Sequence, residues 1–110
     1  MTANEFRKLA LDIPQVTELE HVGHPDFRFG GKVFASLGSP DADWGMVKLK
    51  PEGQRMFVEK SPGVFKPCTG AWGKRGYTNV HLASATKTLL LAAFVSATKN
   101  IASNAKKEKA

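Results

Sequence analysis

A single cysteine, Cys68, is all this chain of 110 residues contains, which excludes an internal disulfide and fits a reducing compartment. No apolar run approaches the roughly 20 residues of a membrane-spanning helix. Met1 to Leu11 mixes acids and bases and has no apolar stretch of the secretory-signal kind. A soluble, cytoplasmic protein with no membrane partner is therefore expected. No pair of carboxylates has a spacing that suggests general acid–base work, so an enzyme is not expected. Internal repeats and linkers are absent, and the one low-complexity stretch is Lys106-Lys107-Glu108-Lys109. With 42% hydrophobic residues, the chain suits one domain with its own core, without disulfides or a structural metal. The expected domain is residues 1–104, followed by a lysine-rich tail, 105–110, expected to be disordered.

Positive charge is what the chain has in excess. The net charge of +6 is unevenly placed: residues 1–45 hold four basic and seven acidic side chains, residues 46–110 twelve and three. A mildly acidic front and a strongly basic back can steer an anionic partner, although lysine-rich surfaces also serve solubility alone. The densest combination of charge and aromatic surface is Trp72-Gly73-Lys74-Arg75-Gly76-Tyr77. Cations beside aromatic faces suit a polyanion with exposed bases, the charges meeting phosphates and the rings offering stacking surfaces.

Local patterns predict the elements. Thr2 with Glu5 is a capping box that starts a helix carrying Phe6, Leu9, Ala10 and Ile13 at helical spacing, and Pro14 helps to end it. A short extended piece at 19–22 follows. Residues 26–29 and 32–37 flank Gly30-Gly31, a pair suited to a tight hairpin turn. Residues 44–50 alternate as a strand, with Val47 and Leu49 on one face and Met46, Lys48 and Lys50 on the other. Pro51 opens a second helix to about Glu59, with Met56, Phe57 and Val58 toward the core. Residues 64–66 form a short strand, 69–76 a loop and 77–82 a last strand. The longest helix is expected from Ser84 to about Asn104, striped by Leu90, Phe94, Ala97 and Ile101. The order α-β(3)-α-β(2)-α predicts an α+β domain: an antiparallel sheet of about five strands with helices on one face. Lys48, Lys50, Asn79 and His81 then project from the other face, joined by Arg28, Phe34 and Met46.

Other constellations are weaker. Glu20, His21, His24 and Asp26 offer metal-type ligands in a proline- and glycine-containing turn without fixed helical spacing, so no metal or other cofactor is expected. The roles expected there are local, with Asp26 and His24 accepting backbone N–H bonds beside Pro25. Cys68 has only His81 as a candidate base in its half of the chain, and an inert thiol is expected. Gly73-Lys74 lacks the Ser/Thr and the first glycine of a phosphate-binding loop. Trp44, next to a turn, is assigned to packing, whereas Trp72 is open to both packing and binding.

Five segments together resemble the MmcQ/YjbR family of small bacterial proteins. They are Gly23-His24-Pro25-Asp26-Phe27-Arg28, Gly31-Lys32-Val33-Phe34-Ala35, Trp44-Gly45-Met46-Val47-Lys48-Leu49, Val64-Phe65-Lys66-Pro67 and Trp72-Gly73-Lys74-Arg75-Gly76. The resemblance implies an α+β fold grouped with CyaY-like and secretion-chaperone-like domains. It also implies DNA binding through two strand-turn wings, with no established enzymatic activity. By position, Lys48, Lys50, Lys74 and Arg75 would face phosphate. Gly73 and Tyr77 stand where many relatives have Asn and Trp. The expected function is a non-enzymatic DNA-binding domain of low sequence specificity, using Arg28, Lys48, Lys50, Trp72, Lys74, Arg75 and Tyr77. The alternative is a protein-interaction module, a homodimer in the manner of secretion chaperones, anchored by Phe34, Met46 and Trp72.

Overall fold

The computed structural model describes residues 1–21 and 23–109. Helix α1 (Ala3–Leu11) is followed by strands β1 (Val16–His21), β2 (His24–Phe29), β3 (Lys32–Leu37) and β4 (Trp44–Lys48). Helix α2 (Pro51–Lys60), strand β5 (Phe65–Pro67), helix α3 (Gly70–Lys74) and strand β6 (Tyr77–His81) come next. A 3₁₀ turn (Leu82–Ser84) then leads to helix α4 (Lys87–Lys109). The six strands form one sheet in the order β1-β2-β3-β4-β6-β5, and every neighbouring pair is antiparallel. The α+β class and the antiparallel sheet are as expected, with one strand more than expected.

Capping chemistry sets the first helix. Glu5 N–H donates to the Thr2 hydroxyl and Thr2 N–H to the Glu5 carboxylate, each at 3.1 Å. The Thr2 N–H, and then the Thr2 hydroxyl, hold the Glu5 carboxyl below its ordinary pKa. Pro51 occupies the first turn of α2, where its missing N–H costs nothing. Gly30 and Gly31 adopt φ of 60° and 80°, the double positive φ of a two-residue hairpin turn between β2 and β3.

Several assignments differ from expectation, with β2 starting at His24, β4 ending at Lys48, β5 shifted to Phe65–Pro67 and β6 ending at His81. The first strand starts earlier, at Val16, because Val16 packs on the core and Glu18 pairs with Arg7 of α1; Val22 lies outside the described residues. The stretch 69–76 is not all loop: α3 occupies it despite two glycines. Helix α4 begins at Lys87 and continues past Asn104 to Lys109.

Side chains divide cleanly between the two sheet faces. Phe6, Phe27, Phe34, Val47, Val80 and Phe94 are fully buried between the sheet and α1 and α4. Phe94 is the hub: Phe6 and Phe34 each meet it edge-on, at 5.1 Å and 5.4 Å between ring centroids. Phe57 of α2 packs on Phe65 of β5 at 5.2 Å, closing the far end of the core. Two expectations fail here. Met56 is 52% exposed and does not face the core, which α2 reaches through Phe57 with Val58 beside it. Phe34 does not join the outer face, for a reason in the register. Phe27 pairs with Ala35 and Arg28 with Val33, so Phe34 is an extra residue bulged between them. The bulge turns Phe34 inward and Val33 outward.

Phe94→Ala removes the ring that joins α4 to both α1 and β3. A loss of about 3–5 kcal/mol is expected in urea denaturation, against less than about 0.5 kcal/mol for Met56→Ala.

Candidate nucleic-acid interface

On the sheet face away from α1 and α4, Leu19 and Lys66 are exposed and Ser36, Met46 and Asn79 half-buried. The rows of this face follow from register: Leu19, Asp26, Ser36, Met46, Asn79 and Lys66 lie side by side across all six strands. Tyr77 pairs with Lys48 one row away, and Trp44 with His81 on the other side. Against this face, beyond β6, α3 sets the Trp72 indole.

The indole is 58% exposed, yet it is held in place. Tyr77 meets it edge-on at 4.9 Å and 89°, and the Arg75 guanidinium lies 5.8 Å from its ring. Lys48 completes the group, its Nζ 4.9 Å from the Tyr77 ring and donating to the Arg75 carbonyl at 3.0 Å. Partial burial, and then the Arg75 charge, push the Lys48 ammonium below its ordinary pKa. Trp72, Lys48, Arg75 and Tyr77 thus come from three elements into one cluster. A cleft of about 230 Å³ beside it is lined by Ser39, Pro40, Cys68, Trp72, Tyr77 and Asn79.

Backbone proximity explains the glycines of this segment. A Cβ on Gly73 would stand 1.9 Å from the Cys68 carbonyl oxygen, and one on Gly76, at φ +104°, 1.9 Å from that of Leu49. Both contacts are far inside van der Waals distance, so α3 reaches its place only with hydrogen at these positions. Gln54 of α2 ties the segment down, its amide nitrogen lying 3.0 Å from the carbonyls of Gly73 and Tyr77 and 3.1 Å from the Thr78 hydroxyl.

The remaining expected residues are dispersed. Arg28 is on the open face but is committed to Asp26, with Nε 3.1 Å from Oδ1 and Nη2 3.2 Å from Oδ2. The Asp26 carboxylate is therefore taken up by Arg28, where backbone N–H bonds were expected. Lys74 is exposed at the end of α3. Lys50 stands apart, in a cleft of about 320 Å³ between α2 and α4 with Glu52, Ser96, Lys99 and Asn100. Trp44 packs on His81 at 4.9 Å, as assigned.

A family model described as YjbR matches residues 11–97. The chain belongs to the YjbR family. Among solved structures it is similar to the crystal structure of Deinococcus radiodurans protein DR2400, which carries the domain DUF419. The TM-score is 0.70 at 16% identity, covering 87% of this chain and 75% of that one. At that identity the likeness speaks for the fold. No curated protein matches this chain.

Any side chain in place of Gly73 would meet the Cys68 carbonyl oxygen. Gln54 was missed by sequence reading, since a lone glutamine on a helix carries no pattern. Cys68 donates to Asn79 Oδ1 at 3.2 Å, and burial pushes its thiol above the ordinary pKa. Among the described residues, no three of His, Cys, Asp or Glu are placed to hold a metal; the His21 side chain lies outside them. No helix among them is long and apolar enough to cross a membrane.

Gly76→Ala is expected to cost at least about 3 kcal/mol in urea denaturation, whereas Gly63→Ala, where an added Cβ meets nothing, stays within about 0.5 kcal/mol. Iodoacetamide alkylation of Cys68 should be slow at neutral pH and still rising above the ordinary thiol range, because a raised pKa withholds the thiolate. A half-maximal rate at or below that range contradicts the burial argument.

Proposed function

We propose that this protein binds nucleic acid on its open sheet face, with single-stranded DNA as the probe that tests it. The observation that carries the reading is the exposed Trp72 indole, held between Tyr77 and Arg75 at the margin of that face. A large ring left in water yet locked in orientation is a stacking platform in waiting, and a base offers the matching π surface. Single strands suit it because their bases are free to stack. Lys48, Lys66, Lys74 and Arg75 supply phosphate contacts around it, and they come from β4, β5 and the α3 segment. Such contacts read charge and stacking rather than sequence, so the bulk of the affinity is sequence-tolerant. The reading assigns no reaction to the protein and puts it in the cytoplasm.

A second reading keeps one observation in its favour. Leu19, 49% exposed, and Met46 lie in one row of the open face with Asp26 and Ser36 between them, two apolar side chains that a protein partner or a second copy would cover. Phe34, buried against Phe94, no longer serves as an anchor for it. Light scattering separates the two: a dimer indifferent to salt favours the second.

Four phosphate contacts predict a slope of log K against log salt near −3 on single strands, from about −0.7 per contact. Trp72→Ala should weaken binding by about 1–3 kcal/mol with that slope unchanged. Replacing both Lys74 and Arg75 by Glu should weaken it and flatten the slope by at least about 1.4. Fluorescence anisotropy measures all three, and absence of affinity at low salt ends the proposal.

A further inference from the structure

We infer that the depression around Arg28 on the open face is a pocket for one unstacked guanine, read through its O6 and N7 atoms. The inference rests on the nucleic-acid reading above and adds to it a single position of base selectivity.

The depression holds about 420 Å³, within the roughly 300–1,000 Å³ of small-ligand sites. Its polar anchor is Asp26, a carboxylate only 5% exposed. Both Asp26 oxygens are taken by one edge of the Arg28 guanidinium, Nε and Nη2. A two-point ion pair of this kind fixes the plane of the guanidinium as well as its position. The other edge, Nη1 with the second hydrogen of Nη2, has no partner among the described residues. It presents two parallel N–H donors at fixed spacing, which is the complement of the guanine O6/N7 pair. Adenine would place an amino donor beside N7 against that fork, and thymine offers only one acceptor on each edge; of the other bases, cytosine alone has two adjacent acceptors, O2 and N3, on its unpaired edge.

Charge selects the same class of ligand. Asp26 cancels the charge of Arg28, so a phosphate or carboxylate gains little here, whereas a neutral edge rich in acceptors loses nothing. The walls suit an aromatic ring. Val33, turned outward by the Phe34 bulge, and Met46 line the depression with apolar surface, and Ser36 and Ser39 add hydroxyls. Ser39 also lines the cleft beside Trp72 and Tyr77. The two depressions therefore adjoin on one face. Strands β2 and β6 are three interstrand spacings apart, about 14 Å, so a chain stacked on Trp72 has neighbouring nucleotides within reach of Arg28.

The test compares oligothymidylates of about 12 nucleotides at low salt by fluorescence anisotropy. One has thymine throughout, and the others carry a single central guanine, inosine or 7-deazaguanine. Guanine and inosine, which share O6 and N7, should strengthen binding by about 5- to 150-fold. The 7-deaza base, lacking the N7 acceptor, should lose most of that gain. Arg28→Lys, which keeps the charge but not the fork, should bind the guanine and all-thymine strands alike. The base analogues decide the matter on the unaltered protein even if that variant does not fold. Equal binding of all four strands, or full strength with 7-deazaguanine, overturns the pocket and leaves the nucleic-acid reading standing. No binding to any of them overturns both.

Discussion

The extra residue at Phe34 is the constraint from which both faces of the sheet follow. A regular β3 pairing with β2 would send Phe34 to the open side and Val33 to the helix side. With the bulge, the ring meets Phe94 edge-on and α4 gains its anchor on the sheet. The same half-turn lines the open side with Val33 between Arg28 and Met46. One inserted position thus supplies the core with its second phenylalanine contact to α4 and the open face with an apolar wall. On the helix side, an added Cβ on Gly45 would fall 2.7 Å from the Phe6 ring, so its absence lets that ring approach β4.

Much of this architecture is legible in local sequence because its signals are local. The Thr2/Glu5 capping box, the Gly30-Gly31 turn, Pro51 at the start of α2 and the alternation of β4 and β6 each need only a few neighbouring residues to be read. What escaped reading depends on partners distant in sequence. The bulge at Phe34 is specified by the competition between two possible cores, and nothing within β3 announces it. Val16 joins β1 because α1 and the core lie beneath it, whereas Thr17, Glu18 and Glu20 look like loop residues. Helix α3 contains two glycines in five residues, a composition that argues against helix until the Cys68 carbonyl is found against Gly73.

The candidate site was legible in part for the same reason. Trp72, Arg75 and Tyr77 are sequence neighbours, and their association follows from a short segment. Lys48 joins them through β4–β6 pairing; alternation puts it on the open face but does not say which strand lies beside it. Lys50 does not, although it is only two residues further on. Strand β4 ends at Lys48, and the turn into α2 carries Lys50 toward α4. Gln54, a lone polar residue on α2 outside any binding motif, is what holds α3 against β6. Its single amide gathers two carbonyls and a hydroxyl that no other side chain is shown to serve.

Strand β5 has a consequence for how anything can approach this molecule. It forms one margin of the sheet with only three residues, and its last, Pro67, has no hydrogen to donate. At the opposite margin β1 carries the carboxylates of Glu18 and Glu20. Borders this short or this charged are poor templates for an incoming chain, so the cross-β stacking that seeds fibrils is discouraged at both. A visitor is thereby directed to the broad side of the sheet, where rings and ammonium groups, rather than bare peptide groups, decide what stays.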